Sequence, residues 1–381
     1  MDSLTQIALG AAVGTAVLGR RVGPRAALWG AVCGTLPDLD VLVPYGDAVR
    51  TFTFHRAESH ALFWLTAAAP LLAALIARVH RSADRQLGVS FRDWWLLTWL
   101  ALATHPLLDA FTVYGTQLLL PFSDYPVGLG SVFIIDPLVT VPLLAGLGGF
   151  WVRRRLRPTA AARWNHLGLT VAALYLAWSV AAQAYVTGHV HRALAATDLA
   201  TGRVLVTPMP FNTLLWRIVV MDDQAYLEGV YSLFDLRPPR LERHPTQPSL
   251  IAGLGQDWTV RRLAWFSKGF YAVNAGTPMA AAAPSPARRG MPGPVERATA
   301  ASAGDSTAEA IVMTDLRMGQ TPWFAFSFVV AERRGDAITA APVRQLSTRR
   351  PPPAALAWLW RRIWDENAPP PAYSSSQTRE T

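Results

Sequence analysis

The chain has 381 residues, 51% of them apolar and only 16% charged, with a formal net charge of +9. That length allows two or three domains. The positive residues are almost all arginine (Lys268 is the only lysine) and many sit in short loops between apolar runs, without a basic stripe interleaved with aromatics, so nucleic-acid binding is not expected. A single cysteine, Cys33, excludes an internal disulfide framework and a cysteine zinc site.

The apolar residues crowd into 1–187, in stretches long enough to span a bilayer core. The opening "MDSLTQIALGAAVG" has Asp2 in place of a basic leader region, so it reads as a retained first helix and not a cleaved signal peptide. Six apolar segments follow one another at roughly 4–19, 26–44, 60–77, 94–120, 130–151 and 164–187. The first places Gly10 and Gly14 four apart, which suits close helix packing in lipid. The fourth exceeds one span and is expected to leave the membrane near Tyr114 to Gln117. If all six cross, the loops after helices 1, 3 and 5 carry twelve arginines and those after helices 2 and 4 carry two, Arg50 and Arg56. The positive-inside rule then puts the arginine loops in the cytoplasm and both termini outside, making this a multi-pass protein of the inner (cytoplasmic) membrane.

From about 195 to 345 the pattern changes to short runs rich in aromatic and branched residues, "RVLVTPMPF", "LLWRIVVMD", "AYLEGVYSLF", "RLAWFSKGFYAV", "EAIVMTDLRM" and "WFAFSFVVAER". These predict a small, mostly β soluble domain on the non-cytoplasmic side, interrupted over 276–307 by an Ala/Pro/Gly/Ser-biased stretch expected to be disordered. Residues 350–381 form a Pro-rich tail whose one aromatic patch, "LAWLWRRIW", suits a membrane surface. The fold class expected is an α-helical polytopic membrane domain of about six helices followed by this β domain.

Three polar clusters interrupt the apolar half: Asp38 and Asp40 in "LPDLDVL", His55, Arg56, Glu58 and His60 in "HRAESHAL", and His105 with Asp109 in "ATHPLLDAF". His105 and Asp109 share a helix face at i, i+4, with Thr112 near at i+7. Asp38 and Asp40 do not share one, though a broken backbone after Pro37 can turn both inward. Ser59 is expected to cap the third helix, with His60 in its first turn. By the alternating topology, all three clusters meet at the outer face. Three histidines and three carboxylates suit zinc, or manganese or iron where carboxylates dominate. Taken singly, each cluster also has a plainer account: a turn or cap residue at Asp38, an interfacial anchor at His55 and Arg56. Ionisable groups inside a span, such as His105 and Asp109, are costly and point to function.

Together "MDSLTQIALGAAVG", "LPDLDVL", "HRAESHAL", "HPLLDAFTVYGTQLLLPFSDYP" and "VFIIDPL" resemble the YdjM-like family of inner-membrane-associated metal-dependent hydrolases. "MPFNTLLWRIVV", "FSKGFYAV" and "VMTDLRMG" resemble the appended domain of its longer members. The resemblance implies a membrane-bound metal hydrolase with Asp38, Asp40, His55, His60, His105 and Asp109 at the matching positions. Two departures stand out: Gln6 replaces a histidine common in the family, and Ala57 and Glu58 precede Ser59 where members read HRG-x-[ST]-H. The function expected is hydrolysis of an ester or phosphoester, in a membrane lipid or lipid-linked substrate, at the outer membrane interface. Arg56 would meet a phosphate, Glu58 would move a proton and Thr112 would assist. The alternatives are a non-catalytic scaffold with a structural metal and a protein partner on the β domain, and a transporter, which the absence of an internal repeat disfavours.

Overall fold

The computed structural model describes residues 1–155, 158–276, 308–347 and 351–370. The stretch expected to be disordered, 276–307, lies outside these residues except for Gly276, as does the tail beyond residue 370. A helical N-terminal region is followed by a mostly β C-terminal region.

Helix α1 (Ser3–Val22) begins where the Asp2 carboxylate accepts a hydrogen bond from Thr5 N. A turn at Gly23, with φ 63°, returns the chain into α2 (Pro24–Thr35). The two helices meet backbone to backbone: a Cβ on Gly10 would lie 2.2 Å from Gly30 O, and one on Gly14 would lie 2.2 Å from Ala26 O. Small residues permit such an approach and nothing larger does. The segment expected to run to residue 44 stops being α-helical at Thr35, and Pro37 enters a short 3-10 helix, Leu36–Leu42.

Next come α3 (Ala48–Phe54), a 3-10 turn Glu58–His60, α4 (Leu62–Val79), α5 (Arg81–Leu87) and α6 (Phe91–Asp109), which opens on a Ser90/Asp93 capping box. Helix α6 ends at Asp109, earlier than the fourth apolar segment suggested. Beyond it the chain forms an irregular loop, pinned by a Thr116–Val127 bridge and punctuated by Gly115 and Gly130 at positive φ. Helix α7 (Pro137–Arg153) starts only where Asp136 caps it, and α8 (Pro158–Leu194) is the longest helix described.

The two ends of this bundle differ. At one, Arg21 pairs with Asp93 at 2.9 Å, and Arg20, Arg21, Arg154 and Arg155 border one groove. At the other stand Gln6, Asp38, His60, His105 and Asp109. Among the described residues, α4 and Ala160–Leu194 of α8 are long and apolar enough to cross a membrane; α7 is apolar but shorter.

In the C-terminal region, β1 (Val204–Pro208), β2 (Leu215–Met221), β3 (Ala225–Ser232) and β4 (Leu241–Pro245) form an antiparallel sheet in chain order. Val206, Trp216 and Ile218 of this sheet pack on Val186 and Val190 near the end of α8. A second antiparallel sheet is built from β5 (Tyr271–Ala275), β6 (Glu309–Asp315), β9 (Ser327–Arg334) and β10 (Ala337–Gln345), in the order β10-β9-β6-β5. The short pair β7 (Gly319–Gln320) and β8 (Trp323–Phe324) lies between β6 and β9 in the chain.

One run differs from expectation, and a second finds a partner within the chain. "RLAWFSKGFYAV", read as a strand, is helical in its first half: α9 (Trp258–Phe266) is capped by Asp257 and buries Val260, Leu263 and Phe266. That spacing of three is helical, and it outweighs the β preference of the aromatic residues. "LAWLWRRIW" forms α10 (Pro353–Trp364), one face of which meets the β region while Leu356, Trp360 and Trp364 stay exposed. Its Trp358, Leu359 and Ile363 pack on Met209 and Leu215, while Arg362 pairs with Asp235 at 2.6 Å.

The second sheet bears directly on the loops of the helical region. Phe52 of α3 and Tyr114 share a core with Phe266 and Phe328. Arg317, paired with buried Asp315, donates to Val113 O (3.3 Å) and Tyr114 O (3.0 Å), and Arg262 Nε donates to Thr53 Oγ1 (3.1 Å). Lys268 donates to Gly128 O at 3.3 Å, and its Nζ stands 5.0 Å from the Tyr125 ring.

Burial, with Arg317 adding to it, pushes the Lys268 ammonium down from 10.5 to about 8. Between those values the unfolded chain holds a proton that the folded chain has released, so folding gains stability as pH rises through this window. The melting midpoint of wild type should therefore gain on that of Lys268→Met between about pH 8 and pH 10. Parallel curves would show a solvated amine.

Candidate metal centre

Four side chains from three elements converge: Asp38 from the 3-10 helix after α2, His60 from the turn before α4, and His105 and Asp109 from the last turns of α6. One donor atom from each lies within 4.8 Å of all the others. His60 Nε2 and His105 Nε2 are 3.1 Å apart. Asp38 Oδ1 is 3.4 Å from both nitrogens, and Asp109 Oδ2 is 3.4 and 3.5 Å from them. Donors each about 2 Å from one ion would stand roughly 3.3 Å apart, so the spacing fits a shared cation. His60, His105 and Asp109 are fully buried, whereas the Asp38 side chain is 25% exposed. Asp38 is therefore the open edge.

The partners behind the two imidazoles fix which nitrogen each presents. His105 Nδ1 donates to Gly34 O at 2.6 Å, so the neutral ring carries its lone pair on Nε2. The Ser59 hydroxyl donates to Asp40 Oδ2 at 2.7 Å, so its oxygen must accept from His60 Nδ1 at 2.8 Å. His60 Nε2 is then bare as well. With both rings neutral, two lone pairs this close and facing two carboxylate oxygens call for positive charge between them, which a proton or a metal ion supplies. Imidazole ligands held by an outer partner at the other nitrogen are the usual arrangement around a bound metal. The mixed N/O set suits zinc, manganese or iron.

Asp109 is held from several sides. Its Oδ1 accepts from Gln6 Nε2 at 3.0 Å and from the Met1 amino group, while Oδ2 makes no hydrogen bond. Arg56, at φ 66° and only 4% exposed, brings Nε to 3.3 Å from that Oδ2. Its Nη1 donates to Thr112 Oγ1 (3.3 Å), and the Thr112 hydroxyl donates to Asp109 O (2.7 Å). The guanidinium lies over Tyr114, 5.0 Å from the ring centre.

Asp40 and His55 stand beside the group of four and not in it. Asp40 accepts from His55 Nδ1 (2.8 Å), Arg56 N (2.9 Å) and the Ser59 hydroxyl, gathering the 55–60 loop around one carboxylate. The rings of His55 and His60 are 6.0 Å apart. Glu58 is exposed and outside the cluster. Ser59, expected to cap the third helix, does not: Ala61 precedes α4 without a side-chain cap, and the hydroxyl serves Asp40 and His60 instead. Gln6, where the resembled family has a histidine, does reach the centre through Asp109. The Gly34 carbonyl went unforeseen, since a backbone acceptor leaves no mark on residue type.

Residues 1–186 match the sequence profile described as YdjM inner membrane protein. This helical half belongs to the YdjM family. A relative from Bacillus subtilis (strain 168), "Uncharacterized protein YfhP", is 32% identical over 158 residues, which cover 39% of this chain and 45% of that protein. The match thus spans under half the length of the relative. No solved structure matches the chain. The YdjM match and the two apolar helices suggest membrane association, and the histidine–aspartate group could hold a metal ion.

Proposed function

We propose that this YdjM protein is a membrane-bound, metal-dependent hydrolase of an ester or phosphoester at the membrane–water interface. What carries the reading is a buried, electron-rich donor group open at Asp38, with an imidazole–carboxylate pair, His55 and Asp40, standing unused beside it. A divalent metal bound by Asp38, His60, His105 and Asp109 would polarise a phosphoryl or carbonyl oxygen and make water more acidic. The chain supplies the proton handling and the positioning. Because His55 Nδ1 donates to Asp40 Oδ1, the ring presents Nε2 as the nitrogen at which a proton can be passed. The His55 side chain is 26% exposed, so that edge can meet a substrate. Arg56 and Thr112 hold Asp109 in place, Arg56 being too deeply buried to meet a phosphate first.

His55→Gln is expected to keep its metal and to slow hydrolysis of bis(p-nitrophenyl) phosphate by roughly 100- to 10,000-fold, the usual worth of a positioned acid–base group. His60→Ala should lose both metal and turnover. A wild-type protein that holds stoichiometric metal yet turns over neither phosphodiesters nor carboxylic esters would instead be a scaffold with a structural metal.

We further infer that α1, α2, α4, α6, α7 and α8 all cross the inner membrane, with the arginine end in the cytoplasm and the β region outside. The support is the segregation of charge between the two ends of the bundle. A periplasmic reporter enzyme fused after residue 370 should be active, and a cytoplasm-dependent one silent. The reverse pattern would overturn the orientation.

A further inference from the structure

Beside the donor group, α4 and the loop after α6 enclose an open apolar groove of about 460 Å³, lined by Leu62, Phe63, Ala67, Leu118, Leu119 and Phe122 among others. One wall starts at Leu62, two residues after His60. The other starts at Leu118, next to Gln117, whose N–H donates to Arg56 O at 3.0 Å. The walls are tied at this end by Leu62 N donating to Leu118 O at 3.0 Å. Phe63 and Phe122 meet edge to face with ring centres 5.5 Å apart. Phe122 is 81% exposed, an unusual setting for a phenyl ring in water but an ordinary one in lipid. The lining hydroxyl of Thr66 is taken by Trp99 Nε1 at 3.0 Å.

We propose that this groove binds one acyl chain of a membrane lipid, with the lipid's polar end directed to the His60 side. The chemistry of the surroundings selects that occupant. Phe63 and Phe122 of the groove are exposed, and α4, which forms one wall, is one of the two helices apolar and long enough to cross a bilayer. The groove is thus continuous with the surface that lipid tails cover. At about 30 Å³ for a group the size of water, its volume holds on the order of fifteen methylenes, the scale of one acyl chain. Its polar end is set by the walls, which close onto the His60 and Arg56 backbones. That the lipid's ester or phosphoester then reaches the donor group rests on the hydrolase reading; occupation of the groove does not.

The test uses the full chain in dioleoyl phosphatidylglycerol vesicles doped with a phosphatidylcholine carrying a diazirine on one acyl chain. After irradiation, cross-links should concentrate several-fold on 62–67 and 118–122 relative to the rest of α4 and to α8. Ala67→Trp, which fills the groove from an exposed position, should lower that labelling several-fold, whereas Leu75→Trp on the open face should not. Labelling spread evenly over the exposed helix faces, or unmoved by Ala67→Trp, would overturn the proposal and leave only annular lipid. Concentrated labelling in a protein that hydrolyses no ester would support the groove and remove the hydrolase reading, so the two fail separately.

Discussion

Replacing His105 with alanine is expected to empty the metal centre while leaving insertion intact. The imidazole contributes one of two bare nitrogens, and its other nitrogen anchors α6 to the Gly34 carbonyl of α2. Loss of a partner behind a ligand alone weakens metal binding by about 10- to 100-fold. Loss of the ligand itself should exceed that and leave the detergent-purified protein with a small fraction of the wild-type metal. Insertion should persist because the apolar run of α6 from Trp94 to Ala103 is untouched. Ser59→Ala supplies the graded comparison. It removes the acceptor that holds His60 Nδ1–H without removing a donor, so metal affinity should fall about 10- to 100-fold and not vanish. Full metal content in His105→Ala would mean that the ion sits elsewhere and that the His60–His105 approach is only packing.

The part of this centre that could be read from the sequence is the part written in residue type and spacing. His105 and Asp109 at i, i+4 required only that α6 be a helix. Their convergence with His60 and Asp38 followed from alternating the direction of successive apolar segments. The separate roles of Asp38 and Asp40 were not legible, because both were expected as ligands on the strength of a break after Pro37. The break is a 3-10 helix, where residues two apart point about 120° from each other, so one carboxylate faces the donor group and its neighbour faces the 55–60 loop. His55 pairs with Asp40 and so lies with it outside the cluster. Long-range tertiary choices hid the rest. The amphipathic pattern of "LAWLWRRIW" is equally satisfied by lipid and by a sheet; Trp358, Leu359, Ile363 and the Arg362–Asp235 pair meet the β region, while Leu356, Trp360 and Trp364 stay exposed. The role of the β region was likewise beyond sequence. Arg317 reaches two backbone carbonyls and Phe52 buries itself among phenylalanines, so this region braces the two loops that carry His55–His60 and Thr112–Gln117.

The largest effect from a residue that touches no ligand should come from Gly30. A Cβ there would lie 2.1 Å from Gly10 O and 3.0 Å from Gly14 Cα, all backbone that cannot rotate away, so α1 and α2 must separate. Overpacking of this kind costs typically about 1–3 kcal/mol, and more where backbone must move. Here the damage should also travel. Helix α1 carries Gln6, which holds Asp109, and α2 carries Gly34, which holds His105. Spreading the hairpin pulls two outer partners away from two donors at once. Gly30→Ala is therefore expected to lower the melting midpoint and, at temperatures where the protein is still folded, to lower metal affinity as well. Gly148→Ala is the matched control: it too lies in a helix, α7, but its Cβ would meet nothing within 4 Å. Relief of glycine's backbone entropy should there raise stability by up to about 1 kcal/mol without touching the metal. If Gly30→Ala and Gly148→Ala shift the midpoint in the same direction, the contact between α1 and α2 is looser than a backbone-to-backbone approach. If Gly30→Ala lowers the midpoint but leaves metal affinity whole, Gln6 and Gly34 are not what hold Asp109 and His105 in position.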